Sequence, residues 1–423
     1  MVIFMIIEFK VTNFRSISDA QTLSMVASPD KGLPQNISAS DFDADLSLLR
    51  SAVIYGPNAA GKSNLIRAMQ LMQWLILTSA KESQAGEKIA AQPFLFDEQA
   101  QTQPTEFELS FSKNGVRYQY GFVFNRDRIL EEWLFAYPAG RVQRWFVRQY
   151  NELGNKYEWE FSKLFKGAKQ QIVDLTRPEV LFLSNAVKLN NEQLLAPFKW
   201  FQEDLVVITP ANINHVDLNK SIDQIKSPEG KKKIMQYLNV ADPTITDISL
   251  ENEIFSEDKL PRNLPVEFKD MVSKNMLGRD FVRIKFHHAA NISLDVGDES
   301  EGTRKFLGFS GQWVDALEHG KVVLVDELDN SLHSLAVRFL ISMIYNSETN
   351  KKNTQLIFST HDTSLLDTEL FRRDQVWFVE KDKKNSTQLY PLLDFSPRKN
   401  EAIGKGYLQG RYGALPYVGD WRF

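Results

Sequence analysis

Eight consecutive residues, Gly56-Pro57-Asn58-Ala59-Ala60-Gly61-Lys62-Ser63, satisfy the pattern G-x-x-x-x-G-K-[ST] in full. No other feature limits the fold as tightly, because the pattern works only between a strand and a helix. Both are legible. Residues 48–55 read as a strand, and residues 62–77 as a helix that places Leu65, Met69, Met72 and Ile76 on one apolar face. The glycines let the loop wrap a phosphate so that successive backbone N–H groups point inward. The phosphate then also sits at a helix N-terminus, whose dipole favours an anion. Lys62 is placed to reach the β- and γ-phosphates of ATP, and the Ser63 hydroxyl to ligate Mg²⁺. Together with Asn64, these eight residues form the expected ATP-binding loop.

A second element completes a nucleotide site. The apolar run Val322-Val323-Leu324-Val325 ends in Asp326-Glu327. A strand buried on both faces would deliver Asp326 beside the phosphate loop to hold the Mg²⁺ shell. Glu327 faces the other way and can polarise the attacking water as a general base. Lys62 and Asp326 stand 264 residues apart (326 − 62). That is too long for a small GTPase or a nucleotide kinase, and suits an ATPase whose two halves are split by an insertion.

The intervening pattern supports an α/β class. Short strands open the chain at 3–12 and 20–26, separated by a turn at Asn13-Phe14-Arg15-Ser16. Residues 93–160 are mainly β, with strands at 106–112, 116–124 and 145–149. Residues 177–276 read as helical and polar, clearest at 181–194 and 231–238. From 281 the chain returns to α/β: strands at 281–286, 322–325 and 355–359, helices at 303–317 and 331–345. The expected domains are 1–92 and 281–423 as two halves of one head, with 93–280 as an inserted β and helical lobe.

Composition excludes several classes. The chain has 423 residues and no cysteine, which rules out disulfides and cysteine-ligated zinc. Its formal net charge of −4 gives no overall basic field to draw it onto nucleic acid. No segment approaches the ~20 apolar residues of a membrane helix, and the apolar start, closed by Glu8 and Lys10, reads as a strand. A cytoplasmic protein without a membrane partner is expected. No period indicates repeats or coiled-coil arms.

The residues that follow Glu327 resemble those of ABC-type ATPases, which implies an ABC-type P-loop head of mixed sheet flanked by helices. Leu328-Asp329-Asn330-Ser331 corresponds to the D-loop that crosses the dimer, with Asp329 as its acid. Ser359-Thr360-His361 corresponds to the strand end that carries the switch histidine, so Glu327, His361 and Lys62 form the expected catalytic set. Two segments compete for the signature, Glu299-Ser300-Glu301-Gly302-Thr303 and Phe309-Ser310-Gly311-Gln312. The second is closer in spelling. The signature, however, must present a serine and helix N-terminal amides to the γ-phosphate of the opposite subunit. Ser300 opens the helical run at 303–317, whereas Ser310 falls inside it. The expected trans signature is therefore Ser300, Glu301, Gly302 and Thr303.

At a finer level the chain is similar to the RloA/AbiL group of bacterial anti-phage ATPases, itself OLD-like and AriA-like. The resemblance rests on Asn13-Phe14-Arg15-Ser16, Ala59-Ala60-Gly61-Lys62-Ser63-Asn64, Ser300-Glu301-Gly302-Thr303, Val325-Asp326-Glu327-Leu328-Asp329, Ser359-Thr360-His361 and the tail from Tyr407 to Pro416. It implies that Arg15 contacts a nucleotide phosphate; a surface arginine in a hairpin is the alternative. It also marks Gly406 to Pro416 as a hallmark, either packed on the head or open to a partner. The glutamine that usually assists Mg²⁺ has two candidate positions, Gln92 and the region of Ser184.

Only 62 residues follow His361 (423 − 361), and they hold no clustered acids for a metal-dependent nuclease. The expectation is an ATPase without its own nuclease. It would be a homodimer or larger even-numbered assembly that regulates a separate TOPRIM-type effector, RloB- or AriB-like, in abortive infection, triggered by a phage protein or DNA. The alternative is a RecF-like repair ATPase that clamps DNA through basic runs such as Lys231-Lys232-Lys233 and Arg398-Lys399.

Overall fold

The computed structural model of the chain describes residues 4–209, 218–254, 280–398 and 401–415. Residues 255–276 of the expected helical stretch, Lys399 and Pro416 lie outside them. Two compact units emerge: Met1–Pro210 with Ala316–Asn330 and Val337–Phe423, and Ala211–Asp315 with Ser331–Ala336.

The first unit carries two large sheets and a two-stranded ribbon of β3 (Ile37–Ala39) and β4 (Ser47–Leu49). One is antiparallel, in the order β10-β9-β8-β7-β6-β1-β2. Its strands are β1 (Phe4–Thr12), β2 (Gln21–Ser24), β6 (Thr105–Lys113), β7 (Val116–Phe124), β8 (Ile129–Tyr137), β9 (Gln143–Asn151) and β10 (Lys156–Phe161). The other runs β11-β15-β16-β5-β17-β18, from β5 (Ser51–Tyr55), β11 (Leu205–Ile208), β15 (Val322–Val325), β16 (Gln355–Ser359), β17 (Val376–Lys381) and β18 (Thr387–Pro391). Its four pairings up to β17 are parallel, and β18 closes the edge antiparallel. β5, β15 and β16 are buried at every residue, as parallel strands covered on both faces must be. The class is α/β, with mixed sheet flanked by helices.

One core joins the two sheets. Ile6, Phe9 and Val11 of β1 share it with Ile54, Leu324 and Ile357 of the parallel sheet. The helix Lys62–Thr78 buries Leu65, Met69, Met72 and Ile76 in that core, the four positions its period selects. Each such side chain contributes about 1.5–3 kcal/mol on burial.

Two sequence expectations change here. The strands between 105 and 161 do not form an inserted lobe: β6 pairs with β1 from Phe4↔Lys113 to Thr12↔Glu106, so the expected boundary at 92/93 falls inside one unit. β1 is apolar on both faces from Met5 to Ile7 and alternates beyond Glu8, and it is paired on both edges, with β2 and with β6. The stretch read as helical also supplies β11, which pairs with β15 from Leu205↔Val322 to Ile208↔Val325.

A buried ion pair anchors the antiparallel sheet. Glu132 on β8 and Arg148 on β9 are both fully buried, 3.7 Å apart. The Glu132 carboxylate accepts bonds from the Tyr120 hydroxyl (3.0 Å) and from the N–H groups of Phe182 (2.6 Å) and Leu183 (3.0 Å), the start of helix Phe182–Lys188. Arg148 donates to the carbonyls of Val180 and Arg177 and lies 4.0 Å over the Tyr157 ring. Burial holds the Glu132 carboxyl above its ordinary value, with Arg148 opposing. The same helix reaches the far end of the phosphate-loop helix, where the Ser184 hydroxyl donates to the Ile76 carbonyl at 2.6 Å.

The second unit combines the helices Leu218–Ile225 and Pro228–Ala241 with a sheet of β12 (Ile245–Ile254), β13 (Asp280–His288) and β14 (Ser293–Asp295). The helix Glu301–His319 begins in it. A Cβ on Gly311 would lie 2.3 Å from the Ser221 hydroxyl oxygen, so glycine there permits close approach of the two helices. Lys231 pairs with Asp247 and Lys233 with Glu229, each at 2.8 Å. Two of the three lysines in that basic run thus make ion pairs at the surface.

Candidate nucleotide-binding site

The phosphate loop leaves the C-terminal end of β5. Gly56 is fixed by contact: a Cβ there would sit 2.2 Å from the Val379 carbonyl oxygen. Gly61, at φ +116°, is fixed twice, because its Cβ would also meet the Thr387 hydroxyl oxygen at 2.2 Å. Gly61 occupies the N-cap of helix Lys62–Thr78, and no side chain caps that helix. The Asn64 N–H turns back onto the Gly61 carbonyl at 2.9 Å, which leaves the Lys62 and Ser63 amides to a ligand. Pro57 is half-buried, Asn58 and Ala59 are exposed, and Ala59 adopts a left-handed φ of +62°. Ala60 is buried, and its carbonyl accepts a bond from the Thr387 hydroxyl at 2.8 Å. Asn64 turns away from the loop to donate to the Ser16 hydroxyl at 2.6 Å, tying the helix to the Asn13–Ser16 turn.

The Lys62 ammonium folds onto its own loop, donating to the carbonyls of Gly56 (2.7 Å) and Pro57 (3.2 Å). It is buried, and desolvation pulls it down from 10.5 to about 8 against the pull of Asp326, Glu327 and Asp329. A polyanion in the loop would relieve that cost.

Asp326 extends from β15 and is fully buried. Its Oδ1 accepts from the Ser63 hydroxyl at 3.0 Å and the Ser359 hydroxyl at 2.7 Å, while Oδ2 is buried without a partner. A buried carboxylate oxygen left unpaired is costly unless something binds it. Beside a serine hydroxyl and an open phosphate cradle, this donor set fits Mg²⁺, which takes one or two carboxylates and completes its shell with phosphate and water. Among the described residues, no group of three or more His, Cys, Asp or Glu side chains forms a protein-only cage.

Glu327 is half-buried and held at φ +56°, a strained conformation for a non-glycine residue. Its N–H donates to the Ser359 hydroxyl at 2.8 Å. One hydroxyl therefore orients both acids. Asp329 accepts from the His361 backbone N–H at 3.2 Å through Oδ2, and its Oδ1 is buried and unpaired. The His361 ring is held below its ordinary 6.5, first by burial and then by Lys62, against the nearby Asp329, Glu327 and Asp326. It is neutral at physiological pH.

Arg15 sits at φ +50° in its turn, and its N–H donates to the Gln92 carbonyl at 2.7 Å. Its Nε is buried and unpaired, and burial together with nearby Arg67 lowers its guanidinium. The fold distinguishes the two glutamine positions. Gln92 adjoins the Arg15 turn, whereas Ser184 binds Ile76 in the last turns of the phosphate-loop helix. Arg67 was missed from sequence because an arginine on an amphipathic helix carries no motif; its relation to Arg15 is tertiary.

The signature candidates lie in the second unit. The Ser300 hydroxyl accepts the Thr303 N–H at 3.1 Å and lies 2.8 Å from the Thr303 hydroxyl, capping helix Glu301–His319. Glu301 pairs with Lys305 at 2.8 Å, and the Lys305 ammonium donates to the Ser331 hydroxyl at 2.9 Å. A Cβ on Gly302 would lie 3.2 Å from the Ser331 carbonyl oxygen. Ser310 is fully buried mid-helix and bonds the Leu307 carbonyl, as expected of the rejected candidate.

Three solved structures resemble the chain at low identity. An SMC head domain from Thermotoga maritima aligns at 13% identity and TM-score 0.39, over 91% of this chain and 98% of that one. An SMC head bound to the C-terminal winged-helix domain of ScpA aligns at 12% and 0.46, over 91% and 97%. An SMC head with an extended coiled coil, bound to the C-terminal domain of ScpA derived from Pyrococcus furiosus, aligns at 13% and 0.38, over 92% and 96%. No curated protein matches the chain in sequence. No helix among the described residues is long and apolar enough to cross a membrane. A family model described as "AAA domain, putative AbiEii toxin, Type IV TA system" matches residues 51–367. Because that match takes in the phosphate loop, the Asp326-Glu327 pair and His361, the chain belongs to this AAA-domain family of P-loop ATPases.

Proposed function

We propose that the chain is an ABC-type ATP hydrolase that works as a dimer or larger even-numbered assembly, with each nucleotide held between one copy's phosphate loop and the other copy's Ser300 loop. The observation that carries this is the buried Asp326 carboxylate, bonded to Ser63 and Ser359 with Oδ2 left open beside an uncapped helix N-terminus. Ser63 and Asp326 would hold Mg²⁺, which when bound neutralises charge on the β- and γ-phosphates. Lys62, freed from the Gly56 and Pro57 carbonyls, pairs with phosphate. Glu327 accepts a proton from the attacking water. The neutral His361 donates to the γ-phosphate, and Arg15 reaches the phosphates from its turn. From the opposite copy, Ser300 and the amides of Glu301, Gly302 and Thr303 cap the γ-phosphate, while Asp329 belongs to the D-loop at that interface.

Replacing Glu327 by Gln keeps the shape and removes the base. Phosphate release should fall by roughly 10²-fold or more, with an ATP-bound dimer accumulating on size exclusion. Wild-type turnover in that variant would refute the assignment.

At the level of biology, the chain acts as the regulatory subunit of a bacterial anti-phage system, of the RloA/AbiL kind, with a separate TOPRIM-type nuclease effector. The family's description names a putative AbiEii toxin of a type IV toxin–antitoxin system, which bears on a role in such a system and not on a separate effector. The second reading is the DNA clamp, which the surface pairs of Lys231 with Asp247 and Lys233 with Glu229 oppose little, since exposed ion pairs are worth about 0–1 kcal/mol. Co-purification with the products of neighbouring genes tests the regulatory reading: a nuclease partner is expected, and its absence together with tight, salt-sensitive duplex binding would refute it.

A further inference from the structure

The tail has a place in the fold that its sequence did not disclose. Its helix, Ile403–Leu408, lies against the turn Thr363–Leu365 that follows His361. A Cβ on Gly404 would sit 3.1 Å from the Leu366 carbonyl oxygen and 3.4 Å from that of Thr363, so glycine there lets the two backbones approach. Beyond the helix the chain turns back. The Tyr407 hydroxyl donates to the Ala414 carbonyl at 2.9 Å, and the Ala414 N–H donates to Glu380 on β17 at 2.9 Å.

The aromatic rings of this turn form a continuous stack that runs inward. Tyr412 stacks on Phe378 at 5.8 Å, and Phe378 stacks on Tyr407 at 5.3 Å. Tyr407 meets Tyr55 at 5.9 Å. Tyr55 is buried, directly precedes Gly56 of the phosphate loop, and donates its hydroxyl to the carbonyl of Asp362, the neighbour of His361, at 3.1 Å. A single side chain thus joins the tail to both sides of the nucleotide site.

We propose that residues 403–415 are a positioning element for His361, acting through the Tyr407–Tyr55 contact and the Tyr55 bond to Asp362; this rests on the hydrolysis reading above. Tyr407 fixes the Tyr55 ring, the Tyr55 hydroxyl fixes the Asp362 carbonyl, and that carbonyl sets the path of the chain carrying the histidine. Asp329 holds the other side of the same segment through the His361 N–H. A displacement of about 1 Å at a reacting group can cost roughly 10²-fold in rate, so a lost anchor here is felt in turnover rather than in nucleotide binding.

The test is a double-mutant cycle on the full chain. Tyr55→Phe keeps the ring and removes only the hydroxyl; it should lower kcat for ATP at least about tenfold and leave the affinity for a fluorescent ATP analogue within about twofold. Tyr407→Ala should act in the same direction, and Tyr407→Phe, which keeps the stack, should retain most of the turnover. In a His361→Ala background, Tyr55→Phe should have no further effect. Unchanged kcat in Tyr55→Phe, or an effect that simply adds to that of His361→Ala, overturns the proposal while leaving the hydrolysis reading intact. No turnover in the wild type overturns the hydrolysis reading and the proposal with it; unchanged turnover in His361→Ala overturns the role of His361 and the proposal, and leaves the hydrolysis reading standing.

Discussion

Replacing Arg148 by Met would expose how the Glu132–Arg148 pair holds the antiparallel sheet to the helix Phe182–Lys188. Both side chains are fully buried, and the carboxylate is the acceptor for the start of helix Phe182–Lys188. Methionine roughly fills the space of the arginine stem but leaves Glu132 without a countercharge. Breaking one side of a buried pair typically costs about 3–5 kcal/mol. The loss carries a pH signature. Burial already holds Glu132 above 4.5, and Arg148 is the largest influence lowering it, so the variant raises it further. The folded state then keeps a proton that the unfolded chain has released. Stability contributed by this group is present below 4.5 and is lost as pH rises through the folded value. The deficit should therefore shrink by up to about 1.4 kcal/mol for each pH unit lowered from neutrality. Urea denaturation near pH 7.5 and pH 5.5 measures both quantities. Glu132→Gln in the Arg148→Met background removes the stranded charge and should recover at least about half of the loss at neutral pH. A deficit below about 1 kcal/mol, an equal deficit at both pH values, or no recovery from the second substitution would each refute this account of the pair.

Other perturbations act on the site directly. Ser359→Ala removes the one hydroxyl that bonds Asp326 and the Glu327 N–H; hydrolysis should fall by about 10–10²-fold with nucleotide binding largely kept, as phosphate-release and binding assays will show. Gly56→Ala drives a methyl into the Val379 carbonyl, so urea denaturation should report a loss of about 1–3 kcal/mol, and ATP binding should weaken with it. Ser300→Arg should abolish ATP-dependent dimer formation on light scattering while leaving ATP bound to the monomer, whereas Ser310→Ala should cost about 1 kcal/mol of stability with little effect on dimers.

Much of the site was legible because its chemistry is local. The phosphate loop is contiguous, and the run Val322–Val325 coincides with β15 because four apolar residues ending in two acids have few other uses. Ser300 was separable from Ser310 by helix position alone, since an N-cap serine and a buried mid-helix serine make different bonds. What sequence could not supply was pairing. β11 is four apolar residues, Leu205-Val206-Val207-Ile208, behind a polar helical stretch, and only its partner β15 makes it a strand. The strands between 105 and 161 were seen in part, but their continuity with β1 depends on register across some hundred residues. The tail was unreadable for the same reason: Tyr407 gains its meaning from Tyr55, far back in the chain.

The order of the parallel sheet also governs when this protein can come into being. β5 ends in the phosphate loop, yet its two neighbours, β16 and β17, are contributed by residues about three hundred positions later. At about 5–20 residues per second, a ribosome needs roughly 15–60 s to make that stretch. Throughout that interval β5, apolar at most of its positions, has no lateral partner, and such a strand edge is prone to aggregate. The nascent chain cannot bind nucleotide early to protect itself, because Asp326 and Ser359 have not yet been made. The complete site of Ser63, Asp326 and Ser359 therefore exists only after the chain has been made past residue 359, and until then β5 is an open edge.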